Sequence, residues 1–158
     1  MISRLLMVLV ALSAAAVPAS GSEGSFTIAM PGARPKGHDS YLCHGFDLNE
    51  VMPVETAFVT RFEAVNASAD RVHHMLLYTC DKPASGVFDC AHHAVCRGSR
   101  SQILFAWAKN APALELPKDV AFEVSRTSTK FLVLQMHYVN ELPDPDYGGL
   151  TMHYQTEE

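Results

Sequence analysis

Eight of the 158 residues are histidine, and four of these form two adjacent pairs, His73-His74 and His92-His93. His38, His44, His137 and His153 stand singly. Neutral imidazole is a borderline ligand that suits copper, zinc, iron and nickel, so three histidines meeting in space would make a transition-metal site. The first pair opens the run Val72-His73-His74-Met75-Leu76-Leu77-Tyr78. In a regular strand, neighbouring side chains point to opposite faces, which would leave one histidine in the core and one on the surface. A bulge or a frayed strand start would let both reach one ion. So would coordination through Nδ1, the nitrogen nearer the backbone. His137 lies in the apolar run Leu134-Gln135-Met136-His137-Tyr138, where a buried imidazole needs hydrogen-bond partners or a metal. It shares a strand face with Gln135 and is the candidate third ligand.

The segment Cys90-Ala91-His92-His93-Ala94-Val95-Cys96 holds both common types of zinc ligand. Its chemistry depends on the compartment. Arg4, the apolar stretch Leu5 to Leu12 and the small residues up to Val17-Pro18-Ala19 have the order of a signal peptide over 1–19, cut after Ala19. A membrane anchor is the alternative. The stretch is interrupted by Ser13 and Pro18 and is short of the ~20 apolar residues a span requires. The chain is thus expected in the secretory-pathway lumen or outside the cell, with no stable membrane span after the leader is removed. The four cysteines, Cys43, Cys80, Cys90 and Cys96, then form two disulfides, with three connectivities open, and His92 and His93 become loop residues. Asn66-Ala67-Ser68 is a glycosylation sequon.

Other chemistries find no support. The net charge is −5 and the 12 Lys and Arg are scattered, whereas a nucleic-acid binder shows a basic stripe. The chain has no Gly-rich phosphate loop, no Gly-x-Ser-x-Gly elbow and no His-Glu-x-x-His helix. With 48% hydrophobic and 18% charged residues, it is not collagen-like, coiled-coil or wholly disordered.

The elements that must position these residues read as strands. Phe58, Thr60 and Phe62 alternate with Val59, Arg61 and Glu63. Ile103, Phe105 and Trp107 share a face, as do Val120, Phe122 and Val124. The run Lys130 to Tyr138 is apolar on both sides and predicts a central strand buried on both faces. Pro- and Gly-containing turns separate these runs, and capped amphipathic helices are absent. The expectation is an all-β antiparallel sandwich forming one domain over 20–158, long enough to bury ~70% of its unfolded surface.

Several words of the sequence then become informative together. Met30-Pro31-Gly32-Ala33-Arg34-Pro35-Lys36 leads into Ser40-Tyr41-Leu42-Cys43. His73-His74-Met75-Leu76-Leu77-Tyr78-Thr79-Cys80, Phe105-Ala106-Trp107-Ala108-Lys109-Asn110-Ala111-Pro112, Leu116-Pro117-Lys118-Asp119-Val120 and Leu134-Gln135-Met136-His137-Tyr138 follow in order. This series resembles the N-terminal copper domain of the peptidylglycine α-hydroxylating branch of the copper type II, ascorbate-dependent monooxygenases. The resemblance implies a jelly-roll β-sandwich of eight or nine antiparallel strands. It also implies an electron-transfer copper on His73, His74 and His137, reduced by ascorbate, with Tyr41 and Gln135 close to it. It implies the disulfides Cys43–Cys90 and Cys80–Cys96. A third bridge of the vertebrate enzymes has no counterpart, because Tyr147 stands near the expected cysteine.

In that family a second sandwich domain carries the oxygen-binding copper and most contacts to the glycine-extended peptide. The sequence stops at Glu158, where such a domain would begin, so the hydroxylating half is expected to be missing. Met136-His137 and Met152-His153 do not replace it, since each pair sits on a single strand and His137 is already used. The alternative is a secreted single-copper redox module without hydroxylase activity. A metal-free interaction module would leave the histidine trio without a role.

Overall fold

The computed structural model describes residues 21–67, 70–98 and 101–157. The expected leader 1–19 and Ser68 of the sequon lie outside these residues. The elements are β1 (Glu23–Ala29), β2 (Ser40–Asp47), α1 (Leu48–Val51), β3 (Thr56–Val65), β4 (His74–Cys80) and β5 (Val87–Asp89), followed by β6 (Ser101–Ala108), β7 (Leu114–Glu115), β8 (Phe122–Ser125), β9 (Phe131–Tyr138) and β10 (Gly149–Gln155). All strand pairings between these elements are antiparallel. One sheet has the order β1-β10-β3-β7, with β8 also paired to β3; the other has the order β5-β2-β9-β4-β6. The all-β, antiparallel expectation therefore holds. The one helical turn among the described residues, α1, is capped by Asp47, whose carboxylate accepts the Asn49 N–H at 2.8 Å.

Alternation decides which side chains fill the space between the sheets. Ile28, Phe62, Leu150 and Met152 from the first sheet meet Met75, Leu77, Phe105, Trp107, Leu134 and Met136 from the second. Phe62 and Phe105 stack across the gap with centroids 4.7 Å apart.

Two expectations of the alternation need correction. Ile103 does not join Phe105 and Trp107 inside, since it is 53% exposed. The pairing of β4 with β6 shifts at Leu77/Tyr78, so that Leu77 faces Phe105 and Tyr78 faces Ile103, leaving Leu104 as the extra residue. A bulge of this kind breaks the period of two and turns the residue before it outward. Val120 also lies outside a strand, because its N–H donates to Pro117 O at 3.1 Å to close the preceding turn.

β9 is buried from Leu132 to Tyr138, as its two-sided apolar pattern predicts. The inner face packs on the core. The outer face is covered by a second cluster of Cys43, Cys80, Cys90, Cys96 and Val133, with Tyr41, Tyr78, Phe88, Val95 and Phe131 packed against it. The disulfides run Cys43–Cys90 and Cys80–Cys96, so the segment between β4 and β6 is tied down over the outside of the sheet.

Beyond β9, Asp146 is 2% exposed and fully partnered. Its carboxylate accepts the Tyr138 hydroxyl at 2.9 Å and the Gly148 N–H at 3.2 Å, and pairs with Arg71 Nε at 3.4 Å. Its backbone exchanges two hydrogen bonds with Ala33. Burial, then the Asp146 charge, pushes the Tyr138 phenol upward, so it stays a donor.

The two bridges close loops of different length, with sequence separations of 47 and 16. Replacing Cys43 and Cys90 together by Ala should lower stability by about 4 kcal/mol, against about 3 kcal/mol for the Cys80 and Cys96 pair, on the chain-entropy relation. Urea unfolding of the two double variants checks both the losses and their order.

Candidate metal centre

The site is built on the register of three neighbouring strands. His137 on β9 stands directly opposite His74 on β4 and opposite Tyr41 on β2. Opposed residues in antiparallel strands share a face with Cβ atoms about 4.5–5.5 Å apart, so this register alone brings the three rings together. Tyr41 stacks on His137 with centroids 4.1 Å apart and planes 7° apart.

His73 escapes the rule of alternation because it precedes β4, at a backbone bend. Its N–H donates to His137 O at 2.8 Å, and its carbonyl accepts the Lys109 N–H at 3.2 Å. Lys109 and Asn110 both have positive φ, 43° and 62°, in the turn that follows β6. Trp107 Nε1 donates across this turn to Ala111 O at 2.8 Å. The word Phe105 to Pro112 therefore holds a turn whose backbone clamps His73.

The three imidazoles converge through Nδ1. His73 Nδ1 lies 3.2 Å from His74 Nδ1, which lies 3.3 Å from His137 Nδ1. Nitrogens at this spacing can share one ion at the ~2.0–2.1 Å typical of imidazole–metal bonds. A donor set of three imidazoles, with no thiolate or carboxylate, suits copper or zinc. Of the three, His137 is buried and the others are half-buried. Burial first, then the charges of His137 and His73, holds the His74 imidazole below its ordinary range, so its neutral, ligating form is favoured.

On the far side of the ring, His137 Nε2 meets Asp39 Oδ1 at 3.2 Å. With Nδ1 ligating, the proton sits on Nε2 and is donated to this carboxylate, an arrangement that orients a metal-bound histidine. Asp39 takes a left-handed backbone (φ 50°) just before β2, and its N–H donates to Val139 O at 3.2 Å. Sequence reasoning missed Asp39. The available signal was its parity, two residues before Tyr41 on the strand that flanks His137.

The remaining candidates fall elsewhere. Gln135 shares the outer face, but its Nε2 donates to Cys90 Sγ at 3.5 Å. His92 and His93 are exposed in the loop between two oxidised cysteines, so the four-residue zinc arrangement does not form. His153 lies on the other sheet, with Nε2 3.0 Å from Arg61 Nη1 and 3.1 Å from Glu63 Oε2. His44 Nδ1 pairs with Gly86 O at 2.9 Å. Among the described residues, His73, His74 and His137 are the one group of three metal-ligating side chains whose donor atoms lie within 4.8 Å of one another. Asn66 is exposed, with φ 51°, where β3 ends.

A family model described as copper type II ascorbate-dependent monooxygenase, N-terminal domain, matches residues 26–156. The peptidyl-glycine alpha-amidating monooxygenase of Mus musculus is 41% identical over 143 residues, covering 86% of this chain and 14% of that protein. The Rattus norvegicus protein of that name has the same identity and coverage. Peptidyl-glycine alpha-amidating monooxygenase A of Xenopus laevis is 40% identical over 123 residues, covering 75% of this chain and 12% of its own length. The chain thus spans about one seventh of the mouse and rat relatives. With the match running across nearly every strand described above, the chain belongs to the copper type II ascorbate-dependent monooxygenases and carries their N-terminal domain.

Proposed function

We propose that this chain is the electron-transfer copper domain of a peptidylglycine-hydroxylating enzyme, with His73, His74 and His137 as the ligands. The observation that carries the reading is the convergence of three Nδ1 atoms on one point of the outer sheet face. Copper bound there would supply one-electron redox chemistry, with ascorbate as the reductant. The chain's own residues prepare the site. Asp39 accepts a hydrogen bond from His137 Nε2–H, which leaves Nδ1 free to ligate. Tyr41 lies flat on the same ring, limiting its rotation and access of water. The Lys109 and His137 backbone groups hold His73 where a regular strand would turn it away.

Hydroxylating the Cα of a C-terminal glycine requires oxygen to be activated beside the substrate carbon. The described residues supply one three-histidine cluster, so the glycine-extended peptide and the oxygen site are assigned to a partner domain. The two disulfides fit an oxidising compartment. We accordingly read residues 1–19 as a signal peptide, the location as the secretory pathway, and Asn66 as a glycosylation site.

Three outcomes test this reading. The chain should bind one copper, and His137→Ala should weaken binding at least about tenfold, since one of three ligands and the central strand partner of the others is lost. A competition titration against a chelator of known affinity measures this, and an unchanged constant would refute the trio.

Copper binding should also depend on pH in a defined sense. A proton and the metal compete for the same nitrogen, and His74 is shifted toward its neutral form. Affinity should be level near neutrality and fall as pH drops below the ordinary histidine range. The same titration repeated over a pH series shows this; affinity rising on acidification would contradict imidazole ligation.

With copper, ascorbate and O₂, the 158-residue chain should consume ascorbate slowly and release peroxide without converting a glycine-extended peptide. Mass spectrometry of the peptide reports the added oxygen atom, and multiple turnover would mean that an oxygen-activating site is present in this chain.

A further inference from the structure

A cleft of about 620 Å³ opens beside the trio, between the segment leading into β2 and the edge strand β5. Its lining includes Arg34, Lys36, Asp39, Tyr41 and Asp89. The volume is in the range of small-molecule sites. Two of these residues, Tyr41 and Asp39, also touch His137, by stacking and by hydrogen bond. Tyr41 and Asp39 therefore lie between the cleft and the His137 ring.

Its charged lining is mixed, with Arg34 and Lys36 facing Asp39 and Asp89. Arg34 and Lys36 are exposed and form no ion pair among the described residues. The two carboxylates already have partners: Asp39 meets His137 Nε2, and Asp89 Oδ1 accepts the Ala91 N–H at 2.8 Å. These hydrogen bonds leave both carboxylates charged, so the cleft sets two unpaired cations beside two carboxylates, and Asp89 retains spare acceptor capacity for hydroxyl donors. A small, planar, polyhydroxylated anion matches this combination. Another cleft, of about 670 Å³, lies at the opposite end of β4 and is lined by Asp81 and Glu123 with no described cation. It would repel an anion.

We propose that the cleft beside Tyr41 binds the reductant as the ascorbate monoanion. Arg34 and Lys36 meet its enolate, Asp89 accepts from its hydroxyls, and its ring rests near Tyr41. The inference rests on the copper assignment above, since it places the reductant one aromatic ring from His137. It differs from that assignment in the residues it needs.

Two measurements separate the two. Metal-free, ¹⁵N-labelled chain is titrated anaerobically with ascorbate; saturable amide shifts are expected over 32–42 and 87–92. Arg34→Glu and Lys36→Glu, both exposed positions, should each weaken this binding roughly fivefold, and raised salt should weaken it in the unaltered chain. In the copper-loaded chain, the ascorbate concentration giving half-maximal reduction should rise by a similar factor in both variants. Their copper affinity, and their reduction by a neutral hydroquinone, should stay unchanged. Shifts confined to other residues, no saturable shifts, or charge-reversal variants that bind ascorbate normally would overturn the cleft while copper binding at the trio stands. Retention of copper by His137→Ala would instead overturn the trio.

Discussion

A strand buried on both faces constrains everything around it, and β9 is that strand here. Its inner residues, Leu132, Leu134 and Met136, belong to the sandwich core. Its outer residues, Val133, Gln135 and His137, point away from the core and would meet water in a plain two-layer sandwich. Val133 and Gln135 are covered because the β4–β6 connection is tied across them by two disulfides. That cover stops short of the β9 end, where His137 and His74 stand in register. There, partial burial and then the charges of His137 and His73 favour neutral imidazole at His74. The candidate centre is thus placed at the boundary between a sealed surface and solvent. The proposed electron-transfer role would require such access for a soluble reductant.

The supports of the three imidazoles come from different parts of the chain and use different physics. Tyr41 offers an aromatic face. Asp39 offers a charge-assisted hydrogen bond. The turn after β6 offers only backbone groups, held by two consecutive left-handed residues and the Trp107 indole. Behind them, buried Asp146 joins Tyr138, Arg71, Gly148 and Ala33. A buried carboxylate is tolerable when its lone pairs are occupied. Here the occupants tie the arm before β2 and the loop after β9 to the strand end that carries His137. The same arm forms one wall of the cleft beside Tyr41, so the histidine cluster and the proposed reductant site share one scaffold.

Much of this was legible before any tertiary structure. Alternation along 58–63 and two-sided apolarity along 130–138 follow from elementary strand geometry. Even cysteine count behind a leader-like segment pointed to disulfides. Neither type of signal survives a local break in geometry. Leu104 is the extra residue of a bulge, and no periodicity rule registers a bulge from one strand alone. Val120 has the apolar character of a strand residue, but its N–H is taken by a turn.

The sequence by itself determined the kinds of residue available: three imidazoles in apolar strands, an even set of cysteines, and words shared with a copper family. It determined that the strands were strands, because the period of two is a property of each segment alone. Only the tertiary structure decided which atoms meet. Register between β2, β9 and β4 sets Tyr41, His137 and His74 side by side, and register depends on three segments at once. The bend that turns His73 toward the others is held by the carbonyl of His137 and the amide of Lys109. Those partners lie far away along the chain, and backbone groups leave no mark on residue type. For the same reason Asp39, an ordinary acidic residue in the sequence, acquires its role only when the left-handed turn before β2 delivers it to His137.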